Sequence, residues 1–439
     1  MTQSPIAASS QKPQQPISKP SNSDYNKGAE SSTSAYPNQS QHRNQLVLLT
    51  GGVQFFEALQ NAFQQAQHYI ALETYIFDFE GSSALVAQAL IDASLRGVQV
   101  HVLVDGVGTP HIPTAWLNKL SQAGVLWVHY LPLGTVGLLF PSRWRRLHRK
   151  LCVIDGKIAF CGGINILDDF FDPNHGALEF ARWDFALQVT GPLVQTIDDT
   201  MKVLWYRNWA KQLAQTKTLL GVKSAWQHIS AANSLALTQH QSEKKSLERL
   251  LLRDNIKNRR NIERAYLSAF ASAKQEILIA NAYFLPGKKV RMALLKAVKR
   301  GLRVRVLLQG RYEYFMQFHA SRAVYLDLLM GGVEIYEYQA SFLHAKVAVV
   351  DPLQKKSWCT VGSSNLDPLS LLLAREANIE VFHHEMAVQI ANEIEIAIAK
   401  SSQQVLLEQF QKRNFTQRLL NWTAYGLMRF ALFITGKRY

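Results

Sequence analysis

The chain has 439 residues, 47% of them hydrophobic, which is enough apolar content for two domains or one large two-lobed unit. Its formal net charge of +15 indicates an acidic partner, either nucleic acid or anionic lipid, and charge alone does not choose between the two. The odd number of cysteines (Cys152, Cys161 and Cys359), all in apolar runs without metal-ligand spacing, predicts reduced thiols in the core of a cytosolic protein and no metal site.

The first 45 residues differ in composition from the rest of the chain. They are rich in Ser, Gln, Pro and Asn without hydrophobic periodicity, so we predict a disordered tail over residues 1–45. The tail lacks the apolar stretch of a signal peptide, and we therefore expect no export. Helical spacing of apolar residues starts at Val53, and the pattern then predicts a strand at Tyr69–Thr74, a helix at Ser83–Arg96 and a strand over Val98–Val104.

This series of elements returns in the second half of the chain. The matching stretches are Tyr69–Phe77 with Ile277–Leu285, Arg96–Gly106 with Arg300–Gly310, and Ala123–Tyr130 with Gly331–Tyr338. A period of about 200 residues indicates a duplicated domain, and strands alternating with helices predict an α/β sheet in each half. We predict one lobe over residues 46–215, a linker over 216–246, a second lobe over 247–405 and a C-terminal segment over 406–439. Two related lobes would pack about a pseudo-twofold axis and share one site.

One pattern of polar residues occurs twice with identical spacing. In Leu147–Asn165 and in Leu343–Asn365, lysine follows histidine by two positions, aspartate follows it by seven, and a Gly-small-x-Asn turn ends the pattern. The members are His148, Lys150, Asp155, Gly163 and Asn165, then His344, Lys346, Asp351, Ser363 and Asn365. A single His-x-Lys pair on a strand is more often a surface pair than a catalyst, but chance explains two matched copies poorly.

The residue types in this pattern suit chemistry on a phosphodiester. Residues two apart on a strand share a face, so the imidazole and the ammonium of each copy point the same way. The lysine can stabilise charge on phosphate oxygens while the histidine supplies a nucleophile or a proton. The small turn residues and the asparagine amides allow close approach to an anion. Asp155 and Asp351 stand at strand ends before turns, where aspartate bonds to backbone, and we interpret them as structural supports of the catalytic motif.

The two motifs with their trailing turns resemble the phospholipase D superfamily, and the strings HRKLCVIDGKIAFCGGIN and GSSNLDPLSLLLAREANIEV are similar to the bacterial cardiolipin synthases within it. The resemblance covers about residues 46–410. It implies a duplicated α-β-α sandwich and phosphatidyl transfer without a cofactor or a metal. A phosphatidyl group would pass from phosphatidylglycerol or phosphatidylethanolamine, through a phosphohistidine, to phosphatidylglycerol. In this superfamily the first motif usually supplies the nucleophile, which assigns that role to His148.

The resemblance also assigns an acidic residue to the catalytic imidazoles. Asp184 lies 36 residues after His148, and Glu380 lies 36 residues after His344. In the superfamily an acidic residue near this place bonds to the ring and fixes its tautomer. We therefore expect Asp184 and Glu380 to orient the histidines.

Two stretches suit contact with an anionic membrane surface. The loop Leu131–Arg146 combines an apolar run with three arginines, and it fits a lipid interface and packing on its own lobe equally well. Residues 412–439 are apolar with basic flanks but too short to span at roughly 20 residues. They predict a helix lying in the membrane surface, with a helix that covers the core as the alternative. We therefore expect a peripheral enzyme at the cytoplasmic face of the bacterial inner membrane.

Three other functions remain open on the sequence alone. A hydrolase of the same superfamily would release phosphatidic acid, a nuclease would use the positive charge, and a membrane-binding scaffold would carry an inactive site. Small nucleases of this kind have one motif per chain, and nothing here resembles a DNA-reading module, which argues against nucleic acid as the partner. Two intact motifs argue against the scaffold.

Overall fold

The computed structural model of the chain describes residues 43–134, 144–172, 175–215, 246–254 and 257–434. Most of the predicted N-terminal tail and of the predicted linker lie outside the described residues, as do residues 135–143 of the loop before His148. All the described residues belong to one compact unit.

The first half of the chain forms a seven-stranded mixed sheet with the order β1-β9-β6-β5-β2-β3-β4. Its strands are β1 (Gln45–Thr50), β2 (Tyr69–Thr74), β3 (Gln99–Asp105), β4 (Leu126–Tyr130), β5 (Lys150–Ile154), β6 (Ile158–Gly162) and β9 (Phe185–Thr190). Its helices are α1 (Gly51–Gln65), α2 (Gly81–Leu95), α3 (Thr114–Ala123) and α4 (Leu193–Gln215). A small hairpin of β7 (Phe171–Asp172) and β8 (Gly176–Ala177) precedes β9.

The second half forms an eight-stranded mixed sheet with the order β10-β16-β15-β14-β11-β12-β13-β17. Its strands are β10 (Glu248–Arg253), β11 (Glu276–Asn281), β12 (Arg303–Gln309), β13 (Glu334–Tyr338), β14 (Lys346–Val350), β15 (Trp358–Gly362), β16 (Glu376–Val381) and β17 (Ser402–Gln404). Its helices are α5 (Asn261–Ser272), α6 (Lys288–Lys299), α7 (Phe315–Arg322), α8 (Tyr325–Met330), α9 (Pro368–Leu372), α10 (His384–Ser401), α11 (Leu407–Gln411) and α12 (Phe415–Ile434).

The two sheets repeat one topology, which confirms the predicted duplicated α/β fold. In the first, β2 is parallel to β3 and antiparallel to β5, and in the second β11 is parallel to β12 and antiparallel to β14. The sequence after Phe382 predicts one long helix as far as about Phe410, and this prediction is wrong, because α10 ends at Ser401. Ser402 adopts an extended conformation and begins an edge strand beside β13, while its hydroxyl donates to the Ala397 carbonyl at 2.8 Å.

The halves meet through an apolar core that lies between the sheets. Leu151, Val153 and Leu187 from the first half share this core with Val347 and Val361 from the second. Separate apolar clusters lie on the outer face of each sheet, under α1 and α2 in the first half and under α5 and α6 in the second. The three cysteines are buried and free. β5 and β14 are buried on both faces, which explains why apolar residues follow one another in these strands without alternating with polar ones.

No helix among the described residues is long and apolar enough to cross a membrane.

Candidate active site

The two motif histidines lie at the boundary between the halves, immediately before β5 and β14. The main-chain N–H of His148 donates to the Arg375 carbonyl at 3.0 Å, and that of His344 donates to the Trp183 carbonyl at 2.9 Å. Each histidine is therefore fixed by the backbone of the opposite half. The two contacts are reciprocal, as a pseudo-twofold relation requires.

Each imidazole is also held by a carboxylate from the opposite half. Nδ1 of His344 lies 2.6 Å from Oδ2 of Asp184, and Nδ1 of His148 lies 3.0 and 3.1 Å from the two carboxylate oxygens of Glu376. An ionised carboxylate can only accept, so on His148 the ring hydrogen belongs on Nδ1 and the lone pair on Nε2. Asp184 favours the same tautomer of His344, against the ammonium of Lys346, which lies 2.7 Å from the same Nδ1. Asp184 lies at a motif imidazole, as expected, but at His344 of the other motif.

The prediction that Glu380 orients a histidine is wrong, and Glu376 occupies that place. Glu380 accepts from Trp358 Nε1 at 3.1 Å and pairs with Arg249 at 2.9 Å. It lies four residues further along β16 than Glu376, about 13 Å at the rise of a strand. No side chain of this length bridges that distance to His148.

Glu376 could have been found by counting from the end of the strand. Asp184 and Glu376 each lie five residues before a valine near the end of β9 or β16, in ARWDFALQV and AREANIEV. Counting from the histidine fails because two connections differ in length between the halves. The β14–β15 turn is four residues longer than the β5–β6 turn, and the stretch from β15 to Glu376 is eight residues shorter than that from β6 to Asp184.

The motif lysines are buried beside their histidines. The ammonium of Lys150 donates to the His148 carbonyl at 2.7 Å. That of Lys346 donates to the His344 carbonyl and lies 2.7 Å from Nδ1 of the same ring and 3.5 Å from Asp184. Burial, together with the neighbouring charge of Lys346, lowers the pKa of Lys150 to about 7. Burial also lowers the pKa of Lys346.

The same burial favours uncharged imidazoles. It lowers the pKa of His148, and together with the ammonium groups of Lys346 and Lys150 it lowers the pKa of His344 well below the ordinary value. It raises the pKa of Asp184 to about 6, against the opposing charge of Lys346. A neutral imidazole with a free Nε2 is the form that can attack an electrophile.

The turn residues divide into two groups. Asn165 and Asn365 line the cavity, and their carbonyl oxygens accept from the main-chain N–H groups of Ile76 at 3.2 Å and Tyr283 at 3.4 Å. With the carbonyl oxygens held in this way, the amide nitrogens are the ends suited to an anion.

The predicted phosphate-binding residues Gly163 and Ser363 lie behind the orienting carboxylates instead. A Cβ on Gly163 would be 2.4 Å from Oδ1 of Asp184, so only glycine admits that short carboxylate. The longer Glu376 reaches past Ser363 and accepts from its hydroxyl at 2.5 Å. Neither turn residue lines the cavity, and both position the acids.

Asp155 and Asp351 lie at the far ends of β5 and β14, away from the cavity. The carboxylate of Asp155 accepts from three successive main-chain N–H groups at the start of β2, at 2.8 to 2.9 Å, and Asp351 does the same at β11. Both have positive φ, 52° and 51°. Partial burial acts to raise the pKa of Asp155, but these backbone hydrogen bonds lower it. The geometry supports the interpretation of these residues as structural supports and removes them from the reacting groups.

One cavity of about 460 Å³ brings the two histidines together. Besides them and the two asparagines, it is lined by residues that sequence reasoning did not assign, among them Tyr75, Arg146, Tyr283 and Glu313. Tyr75 meets the His148 ring edge-on at 5.1 Å between centroids. Arg146 pairs at 3.1 Å with the fully buried Asp105. Among the described residues there is no group of three or more His, Cys, Asp or Glu that could hold a metal ion.

Comparison with known proteins finds a family that matches both halves of the chain. A family described as cardiolipin synthase, PLD-like domain, matches residues 59–205 and 266–398. The chain is 36% identical over 387 residues to cardiolipin synthase B of Salmonella typhi, with 88% of each chain covered. It is 30% identical over 378 residues to a cardiolipin synthase of Halalkalibacterium halodurans, covering 86% of this chain and 70% of the relative.

Two solved structures share the fold at low sequence identity. The phosphatidylserine synthase of Haemophilus influenzae superposes with a TM-score of 0.61 at 12% identity, covering 89% of this chain and 95% of that one. The polyphosphate kinase of Porphyromonas gingivalis superposes with a TM-score of 0.52 at 14% identity, covering 87% and 53%. At these identities the likeness concerns the fold alone.

Proposed function

The chain belongs to the cardiolipin synthase family of phospholipase D-like proteins, and from this premise we propose that it forms cardiolipin through a phosphohistidine on His148. Phospholipids are its substrates, with phosphatidylglycerol as the acceptor and either phosphatidylglycerol or phosphatidylethanolamine as the donor. The observation that carries the proposal is the pair of imidazoles on one cavity, each held at Nδ1 by a carboxylate of the other half.

In the first step Nε2 of His148 attacks the phosphorus of the donor. The nitrogen–phosphorus bond forms, the bond between phosphorus and the headgroup oxygen breaks, and His344 gives a proton to the departing oxygen. His344 must be charged for this step, although burial lowers its pKa. The negative charge of a bound phosphodiester opposes that lowering and favours the imidazolium.

In the second step His344 takes the proton of an acceptor hydroxyl. That oxygen attacks phosphorus, the bond to His148 breaks, and the products are cardiolipin and the free headgroup alcohol. The amides of Asn165 and Asn365, which line the cavity, bind the phosphate oxygens in both steps. The buried ammonium groups of Lys150 and Lys346, beside the histidines, stabilise the negative charge on these oxygens. Removing water from a site of this kind favours transfer over hydrolysis.

We propose that the protein lies peripherally on an anionic membrane, at the cytoplasmic face of the inner membrane. The C-terminal helix α12 supports the contact with a membrane surface. Its inner face packs on α7, where Nδ1 of His319 lies 2.8 Å from Oδ1 of Asn421, and its Met428 reaches the cavity. Its outer face exposes large apolar side chains, with Trp422 at 59% and Phe430 at 62% exposure, next to the exposed Arg418 and Arg429. A helix that borders the cavity and presents aromatic side chains outward suits the lipid interface.

Vesicles of phosphatidylglycerol test the function directly. The purified chain should accumulate cardiolipin and glycerol, and His148→Ala or His344→Ala should reduce turnover by orders of magnitude. Phosphatidic acid as the main product would show a hydrolase and refute the transfer. The double variant Trp422→Glu/Phe430→Glu should weaken vesicle binding about tenfold or more, whereas Leu353→Glu, which changes a 78% exposed residue on a distant turn, should not.

A further inference from the structure

The two walls of the cavity differ although the halves are duplicated. The main-chain N–H groups of Ile76 and Tyr283 make the same bond, each to the turn asparagine of its own half, so the two positions are equivalent. Both residues line the cavity. At this position the wall therefore has an aliphatic side chain in the first half and a phenol in the second. The phenol beside the His148 ring is that of Tyr75, one residue earlier in the chain.

A carboxylate lies beside the phenol of Tyr283 and has no counterpart at the equivalent position of the first half. The hydroxyl of Tyr283 donates to Oε2 of Glu313 at 2.7 Å, and both residues border the cavity. Glu313 comes four residues after the end of β12. The residue four positions after the end of β3 is Thr109, whose hydroxyl donates to the Tyr75 carbonyl at 3.1 Å and accepts from the Phe77 N–H at 2.8 Å. The Thr109 hydroxyl therefore hydrogen-bonds to main-chain groups, whereas Glu313 lines the cavity.

Arg182, a cation that lines the same cavity, is already held by other groups. Arg182 donates to the carboxylate of Asp172 at 2.6 Å and to the carbonyls of Asp168 and Phe171 at 3.0 and 3.1 Å. A carboxylate has room for about four hydrogen bonds, and Tyr283 supplies one to Glu313. Burial raises the pKa of Glu313, which further hydrogen-bond donors would offset. Even with Gln309 counted as a second donor, Glu313 keeps acceptor capacity for a ligand in the cavity.

We propose that Glu313 and Tyr283 bind the glycerol headgroup of the lipid, so that its reacting hydroxyl meets His344. This inference rests on the proposed function. The hydroxyls of a polyol are small, uncharged donors that suit a carboxylate on a partly enclosed wall. With the headgroup on this side, His344 exchanges protons with the alcohol. His148 lies on the opposite wall, beside Arg146, and attacks phosphorus. The asymmetry of the walls thus separates the roles of two otherwise matched motifs.

The test compares small alcohols as acceptors of the phosphatidyl group. The full chain is incubated with phospholipid vesicles and labelled glycerol, ethanol or ethanolamine, and kcat/KM is measured for each product. Glu313→Gln should reduce the preference for glycerol over ethanol about tenfold or more, mainly through KM, because a hydrogen bond to a charged group is lost. Tyr283→Phe should change the same ratio in the same direction. Tyr312 is a neighbour that does not line the cavity, so Tyr312→Phe should leave kcat/KM unchanged for all three alcohols.

The outcomes separate this inference from the function on which it rests. An unchanged glycerol-to-ethanol ratio in both variants refutes the headgroup site even though transfer continues. A larger loss with ethanolamine than with glycerol refutes the polyol assignment in favour of an ammonium site. If Glu313→Gln does not fold, the ratio in Tyr283→Phe decides. A wild-type chain that forms neither cardiolipin from phosphatidylglycerol nor a product with any of the small alcohols refutes the proposed function itself.

Discussion

Replacing Glu376 by Gln tests whether this carboxylate, which reaches His148 from the opposite half, controls the reactivity of the imidazole. The substitution keeps the shape of the side chain and removes its charge. Both oxygens of Glu376 now face Nδ1 of the ring, at 3.0 and 3.1 Å, and the Ser363 hydroxyl fixes the group from behind. An amide that turns its NH₂ toward Nδ1 would force the ring hydrogen onto Nε2 and remove the attacking lone pair.

The size of the effect follows from the lost interaction. A hydrogen bond between a charged and a neutral group contributes about 1.5–3 kcal/mol. If that contribution is fully expressed in the transition state, kcat falls about 10- to 150-fold, and the wrong tautomer would add to the loss. The assay is cardiolipin formation from phosphatidylglycerol vesicles, with circular dichroism to show that the variant is folded.

Glu380→Gln is the matched control, because it makes the same chemical change four residues along the same strand. Its partners are Trp358 and Arg249, so we expect reduced stability with kcat per folded molecule close to wild type. Equal losses of kcat in the two variants, or full activity in Glu376→Gln, would refute the claim that Glu376 orients His148 from the opposite half.

Three further substitutions test other parts of the site. The charge of Lys150, whose pKa is about 7, is present below that pH and lost above it, so kcat/KM should fall as the pH rises through about 7 and Lys150→Arg should move this fall to higher pH. Asp155→Ala removes the acceptor of three backbone N–H groups and should lower the free energy of unfolding by about 2–3 kcal/mol in urea titrations. Because the pKa of Asp155 is depressed in the folded state, this advantage of the wild type is present above about pH 4 and is lost as the pH falls. Gly163→Ala should displace Asp184 and reduce kcat about 10- to 100-fold, whereas Gly426→Ala, with no atom within 4 Å of the added carbon, should not.

Sequence patterns were sufficient for the fold because the duplication repeats local signals. The strand at Tyr69–Thr74 has the predicted bounds, and the motif histidines each precede a strand that is buried on both faces. Repeated spacing also placed the lysines beside their histidines. These features depend on residues close in sequence, where strand periodicity fixes the direction of each side chain.

The features that were missed depend on how the halves meet. Counting from His344 led to Glu380, because two connections of different length lie between the histidine and the acid that reaches across. The match of Tyr69–Phe77 with Ile277–Leu285 paired Tyr75 with Tyr283, whereas the hydrogen bonds of the turn asparagines show that Ile76 is the equivalent of Tyr283. A shift of one residue turns a side chain to the other face of a strand. The chemical difference between the two walls was therefore hidden in the sequence.

The central claim is that His148 carries the phosphatidyl group between donor and acceptor. Its most direct test is to incubate the chain with phosphatidylglycerol labelled in the phosphate, stop the reaction in alkali and locate the label by mass spectrometry of the peptides. We predict an acid-labile label on His148, absent in His148→Ala. A label on His344, or the release of cardiolipin by a chain that never becomes labelled, would contradict it.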